Sequence, residues 1–187
     1  MKKTLPFLCI VFALLLTTEK SFGQSSFGVS AGFHDFTLTA SLEGMSGSGS
    51  NGASGYYVGF FGEFGLADKL KIQPEIQFAQ IFSGGGETEK LFLPVMFKYY
   101  VAEKFNLQAG PTFDLLLANE DNSLSDFGFG IAFGGAFDIT QKLAITTKYS
   151  LGLNNRTSDP IVDIFSGQSF DVTTKFDVFQ VGLAYKF

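Results

Sequence analysis

The chain has 187 residues, a formal net charge of −5, 45% hydrophobic residues with 24 Phe and 22 Gly, and one cysteine. That acidic balance excludes a nucleic-acid binder, whose phosphate contacts need an excess of Lys and Arg. One cysteine excludes a disulfide framework, and the length suits a single domain.

Lys2 and Lys3 precede an apolar run from Leu5 to Leu16, and the small residues Ser21 and Gly23 follow just before Gln24. This order predicts a cleavable signal peptide over residues 1–23. The run is shorter than the roughly 20 apolar residues that a membrane helix needs. Cys9 lies inside it behind Leu8, which is not the small residue a lipoprotein signal requires, so no lipid anchor is expected there. Cleavage removes Lys2, Lys3, Lys20 and Glu19. The mature domain, residues 24–187, then carries a charge of about −7 and no cysteine.

Eight segments of the mature chain alternate with period two. The first sets Phe27, Val29, Ala31 and Phe33 against Gly28, Ser30, Gly32 and His34. A Gly/Ser-rich stretch from Ser41 to Ser54 reads as a loop. The second segment runs from Tyr56 to Leu66, turns at Ala67-Asp68-Lys69, and returns as the third from Leu70 to Ala79. A polar loop is expected from Ser83 to Lys90. The fourth segment spans Leu91 to Val101, turns at Glu103-Lys104, and the fifth spans Phe105 to Leu117. An acidic loop from Asn119 to Ser125 leads to the sixth segment, Phe127 to Asp138. Thr140-Gln141-Lys142 then turns into the seventh, Leu143 to Leu153. A long loop, about Asn154 to Lys175, precedes the closing strand, in which Phe179, Val181, Leu183, Tyr185 and Phe187 alternate with Gln180, Gly182, Ala184 and Lys186.

In every segment the apolar row lacks charge; the other row holds all the charges of the segments, and across the eight segments ten of its members are glycine. A soluble sandwich would place its charged row in water. Large apolar groups on one face and small or polar groups on the other is the inverse pattern, that of a barrel in lipid. Closure satisfies the backbone groups that an open sheet would leave in hydrocarbon. The expected fold is therefore all-β: an eight-stranded antiparallel transmembrane β-barrel, preceded by the signal peptide. The turns recur at 67–70, 102–105 and 140–143, all on one side of the sheet. Short turns belong to the periplasmic end of such barrels and longer loops to the outside. Both mature termini are then expected in the periplasm. Pro74, Pro94 and Pro111 lie inside strands, where each removes a ladder hydrogen bond, so bulges are expected there.

The closing residues Gln180, Gly182, Tyr185 and Phe187 resemble the assembly signal of outer-membrane barrels, in which the last residue is typically Phe. Further motifs are Gln73-Pro74-Glu75-Ile76-Gln77-Phe78-Ala79-Gln80, Leu91 to Tyr100 with Pro94, Gly110-Pro111 and Gly152-Leu153-Asn154. In order and spacing these are similar to the porin-like or PorT-like outer-membrane barrel domain common in Bacteroidota. The resemblance covers nearly the whole mature chain. It implies a small barrel of the OmpA/OmpX type, recognised by the barrel-assembly machinery and embedded in outer-membrane lipid. It implies no particular activity.

Glu63, Glu75, Lys98, Asp114 and Lys148 fall in the inward row, the first two and both lysines in its turn-end part. They read as a charge network filling a lumen just wide enough for side chains, with a proton or ion path as the functional alternative. His34, beside Asp35 and near Ser30, raises a lipid-modifying hydrolase. Nucleophilic catalysis needs its groups in mutual reach, which one adjacent pair does not establish, so no enzyme is expected. Asn119-Glu120-Asp121-Asn122 lacks the spacing and the glycine of an EF-hand. No phosphate-loop or zinc spacing occurs, and no cofactor or metal is expected.

Three function classes remain: a structural or surface-interaction barrel with a filled lumen, a narrow porin-like channel, and a lipid-acting enzyme. The first is preferred because barrels of this size are filled. The last loop is its expected contact region, through Ile161, Ile164, Phe165 and Phe170. Long connections usually carry function, and apolar tips in water call for a protein or glycan partner. A hairpin of Ile161 to Phe165 with Ser169 to Thr173, across Ser166-Gly167-Gln168, is the expected geometry.

Overall fold

The computed structural model describes residues 25–42, 48–83, 86–117, 125–156, 161–162, 169–170 and 172–187. The predicted signal peptide, Asn119 to Asn122, Ile164 and Phe165 lie outside them. Ten strands are present among these residues: β1 (Ser26–Leu42), β2 (Ser48–Ala67), β3 (Leu70–Ser83), β4 (Gly86–Tyr100), β5 (Phe105–Leu116), β6 (Phe127–Asp138), β7 (Leu143–Gly152), β8 (Ile161–Val162), β9 (Ser169–Phe170) and β10 (Val172–Lys186). Eight of them close into an antiparallel barrel in the order β1-β10-β7-β6-β5-β4-β3-β2, and β8 pairs with β9 apart from it. The seam joins the first and last strands from Gly28↔Lys186 to Leu42↔Val172. The amide of Phe187 donates to Phe27 O, extending it by one residue.

The alternation decides which face each side chain takes. Phe27, Phe33, Val58, Phe60, Leu107, Phe133, Ile145, Leu183 and Tyr185 are exposed on the outside, Phe33 by 74%. Tyr57, Phe61, Phe92, Met96 and Ala132 are buried inside. Exposed aromatic and aliphatic groups over most of a closed surface are tolerable only in hydrocarbon. Glycine on the inner row makes room for the largest inward rings. A Cβ at Gly28 would collide with the Phe61 ring, and one at Gly182 with the Tyr57 hydroxyl.

Four expectations need correction. The Gly/Ser-rich stretch is largely strand, since Ser48 to Ala53 pair with Ser41 to Phe36 and leave only 43–47 between β1 and β2. Composition signals a loop, but a paired neighbour satisfies the backbone whatever the side chains are. Likewise the polar loop at 83–90 is a two-residue connection, Ser83 pairing directly with Gly86, whose φ of 152° favours glycine.

The prolines cause no bulges. Pairing passes from Pro74↔Val95 to Gln77↔Phe92, and from Pro94↔Thr112 to Phe97↔Ala109, with the register unchanged. Pro111 pairs normally with Ile131. Proline's fixed φ is compatible with extended backbone, so local bridges are lost while the strands stay in step. The register shift falls instead between Gly65 and Ala67, beside the β2–β3 turn.

In the last connection, β10 starts at Val172, which pairs with Leu42. The small hairpin therefore sets Ile161 opposite Phe170 and Val162 opposite Ser169, rather than reaching to Thr173. Thr173 pairs with Ser41 of β1, and the barrel seam has claimed it.

Candidate functional site

Among the described residues the inward row builds three ionic clusters, two towards the turn end and one at the loop end. In the first, Glu63 of β2 is surrounded by lysines from three strands. Lys98 of β4 donates to its Oε2 at 2.6 Å, Lys71 of β3 to Oε1 at 2.8 Å, and Lys186 of β10 to Oε1 at 3.1 Å. Lys98 also donates to Gln73 Oε1 at 2.9 Å. Nearby, the Tyr100 hydroxyl donates to Asp138 Oδ2 at 3.1 Å, and Lys71 sits over the Tyr100 ring.

The second cluster centres on Glu75 of β3. Lys148, across the lumen on β7, donates to Oε2 at 2.6 Å, Gln77 donates to Oε1 at 2.9 Å, and the Ser30 hydroxyl donates to the same oxygen. Gln180 of β10 joins through a 2.9 Å bond to Gln77 Oε1. The Glu75 and Lys148 side chains are 0% and 3% exposed. A buried pair of this kind is costly to desolvate, and hydrogen bonds from Gln77 and Ser30 occupy the carboxylate oxygen that Lys148 leaves.

The third cluster lies at the loop end. Asp114 of β5 receives Arg156 Nη1 at 3.0 Å on Oδ2, and Lys90 Nζ of β4 stands 2.8 Å from the same oxygen. Lys90 has ion-pair distance but no hydrogen-bond partner of good geometry among the described residues. Its ammonium lies 4.0 Å from the centre of the Phe36 ring and 5.1 Å from that of Phe176, and the Arg156 guanidinium packs on Phe176 as well. Such contacts contribute about 0.5–2 kcal/mol each. Arg156 also links its own connection to the β5–β6 connection and to β10. Its amide donates to Thr174 O, its Nη2 to Asp126 O, and its carbonyl accepts from the Ser125 amide.

The family match reads directly on this architecture. Residues 19–158 match the family described as outer membrane protein beta-barrel domain. The chain belongs to that family. It is thus an outer-membrane barrel. Its fold is similar to that of Neisserial surface protein A, with 14% identity, a TM-score of 0.51, and 88% of this chain and all of that one covered. It is also similar to Ail, the attachment invasion locus protein of Yersinia pestis, with 11% identity, a TM-score of 0.50, and again 88% of this chain and all of that one covered. At these identities the likeness is one of fold. No curated protein matches the sequence.

The sequence-predicted inward charges Glu63, Glu75, Lys98, Asp114 and Lys148 all take part in ion pairs, but not in one network. Glu63–Lys98, Glu75–Lys148 and Asp114 anchor separate clusters. Sequence reasoning misses their partners Lys90, Arg156, Lys71 and Lys186. The signal for Lys90 and Arg156 is parity. Both continue the inward even row, Lys90 ahead of Phe92, and Arg156 beyond Lys148 and Ser150. A polar, loop-like composition around each of them masks it.

His34 and Asp35 do not form a catalytic pair. They are neighbours on β1, so their side chains take opposite faces, His34 buried and Asp35 exposed. His34 Nε2 contacts Gln80 O at 3.3 Å, while Ser30 is held by Glu75. Of the closing residues, Gln180 is buried inside, and Tyr185 and Phe187 lie outside in edge-to-face contact.

Proposed function

We propose that this outer-membrane barrel is a filled, non-conducting scaffold that presents its loop end at the cell surface to an extracellular protein or glycan. The observation that carries the reading is the cross-linked lumen, in which Glu75–Lys148 and Glu63–Lys98 link non-adjacent strands and Tyr57, Phe61 and Met96 are buried as further bulk. An eight-stranded barrel has room for side chains and little else. A narrow porin-like channel is the competing reading. Purified barrel in a planar bilayer is expected to be nearly silent, and frequent stable openings of large conductance would sink the scaffold reading. The separation of His34 from Asp35 supports a non-enzymatic role.

In this reading the short turns at 68–69, 101–104 and 139–142 and both mature termini face the periplasm, and the loop end faces outward. Residues 1–23 act as the export signal. Gln180, Gly182, Tyr185 and Phe187 form the strand that the assembly machinery reads, and deleting Phe187 is expected to abolish heat-modifiable gel migration. Two barrels of the same fold are named a surface protein and an attachment protein, which fits a role through loops. The contact region in this proposal is the last connection, with Ile161, Ile164, Phe165 and Phe170. Replacing residues 165–170 with a Gly/Ser link should leave folding intact and remove surface binding. Unchanged binding by the folded variant would move the site elsewhere. The proline-marked strands around Pro74, Pro94 and Pro111 support placement near the PorT-like barrels of Bacteroidota.

A further inference from the structure

Among the described residues the loop-end cluster holds an excess of buried positive charge. Asp114 sets one carboxylate against two cations, and the Lys90 and Arg156 side chains are only 1% and 2% exposed. At the turn end the surplus cations Lys71 and Lys186 are 30% and 13% exposed, so water reaches them. Lys90 and Arg156 are shut off from bulk solvent, and the faces of Phe36 and Phe176 bring no counter-charge. A buried unpaired charge is strongly disfavoured.

A second observation is independent of this charge count. Lys90 Nζ, Arg156 Nε and Ser150 Oγ are buried without a hydrogen-bond partner among the described residues. All three residues line one cavity of about 10 Å³, with Asp114 in its wall. That volume holds one water-sized particle. Water has two lone pairs for these donors and no charge. A halide accepts from every donor that reaches it and neutralises the surplus.

We propose that this cavity is a binding site for a single small monovalent anion of chloride size, held by Lys90, Arg156 and Ser150. Arg156 bonds to Ser125 and Asp126 of the β5–β6 connection and to Thr174 of β10, so the ion also braces these contacts. The site is independent of the surface-contact proposal, because conductance and partner binding do not enter its test.

The probe is bromide. Crystals of the refolded full barrel grown in sodium bromide should give one anomalous peak in contact with Lys90 Nζ and Arg156 Nε. In solution, at fixed ionic strength, replacing gluconate by chloride or bromide should raise the thermal midpoint saturably, as for any ligand that binds only the folded state. Ser150→Ala removes one neutral donor and should weaken the apparent halide affinity about tenfold, the usual worth of one hydrogen bond to a charged group. Lys90→Met should abolish the halide response, and if it does not fold, Ser150→Ala decides. A cavity filled by water, or by a carboxylate from the barrel's own loops, overturns the proposal. So does a halide response identical in Ser150→Ala and the parent.

Discussion

The two ends of the lumen solve the same problem differently. Towards the turn end, Glu63 and Glu75 accept enough hydrogen bonds to occupy their oxygens, and the extra lysines extend to solvent. At the loop end, Asp114 shares one oxygen between two buried cations, and Lys90 Nζ and Arg156 Nε lack a hydrogen-bond partner among the described residues, whereas the unpartnered atoms elsewhere in the lumen, Tyr57 Oη, Asn106 Nδ2, Gln108 Oε1 and Gln180 Oε1, are neutral. In a low dielectric an unpartnered charged donor costs more than a neutral one, so a further ligand gains most where the surplus is charged. The turn end therefore reads as structural and the loop end as receptive, on one barrel and one alternating pattern.

The sharpest way to break this contrast is to remove the central carboxylate of the Glu75 cluster. Glu75→Leu strands Lys148 in the lumen and should cost about 3–5 kcal/mol in urea unfolding from detergent or vesicles. Replacing Lys148 by Met in the same chain should return most of that loss, since an apolar pair of similar volume is often neutral. A double variant as unstable as the single would show that packing rather than charge holds this cluster.

Packing tests come next. Gly182→Ala pushes a Cβ against the Tyr57 hydroxyl and the Ala31 carbonyl and should destabilise by about 1–3 kcal/mol. Gly52 lies beyond the crowded lumen, and a Cβ added there would meet only Phe36 O, at 3.8 Å. Gly52→Ala should be neutral or stabilise by up to about 1 kcal/mol. Equal losses at both positions in the same unfolding assay would remove the distinction between a crowded lumen and an open upper wall.

The smallest expected effect separates two partners of one carboxylate. Lys71→Met takes from Glu63 a cation that is 30% exposed and leaves Lys98 and Lys186 in place. It should cost less than about 1 kcal/mol. Lys98→Met takes the buried partner, together with its bond to Gln73, and should cost more. If the order is reversed, solvent does not carry the surplus charge at the turn end.

Much of this was legible in the sequence. Period-two alternation over eight segments set the barrel class, the lipid-facing row and the inward direction of Glu63, Glu75, Lys98, Asp114 and Lys148, because on a pleated strand the face of a side chain follows from its parity alone. The short turns at 68–69, 101–104 and 139–142 could be read from their residues for the same local reason. Tertiary structure decided what depends on partners. Pairing turned Ser48 to Ala53 and residues 86–90 into strand, since a neighbouring strand outweighs Gly/Ser composition. Barrel stagger chose which inward charges meet, giving Lys148 to Glu75 and Lys98 to Glu63. That choice rests on the register between strands distant in sequence, and parity says nothing about it. The same stagger gathered Lys90, Asp114 and Arg156, from three elements, around one small cavity at the loop end.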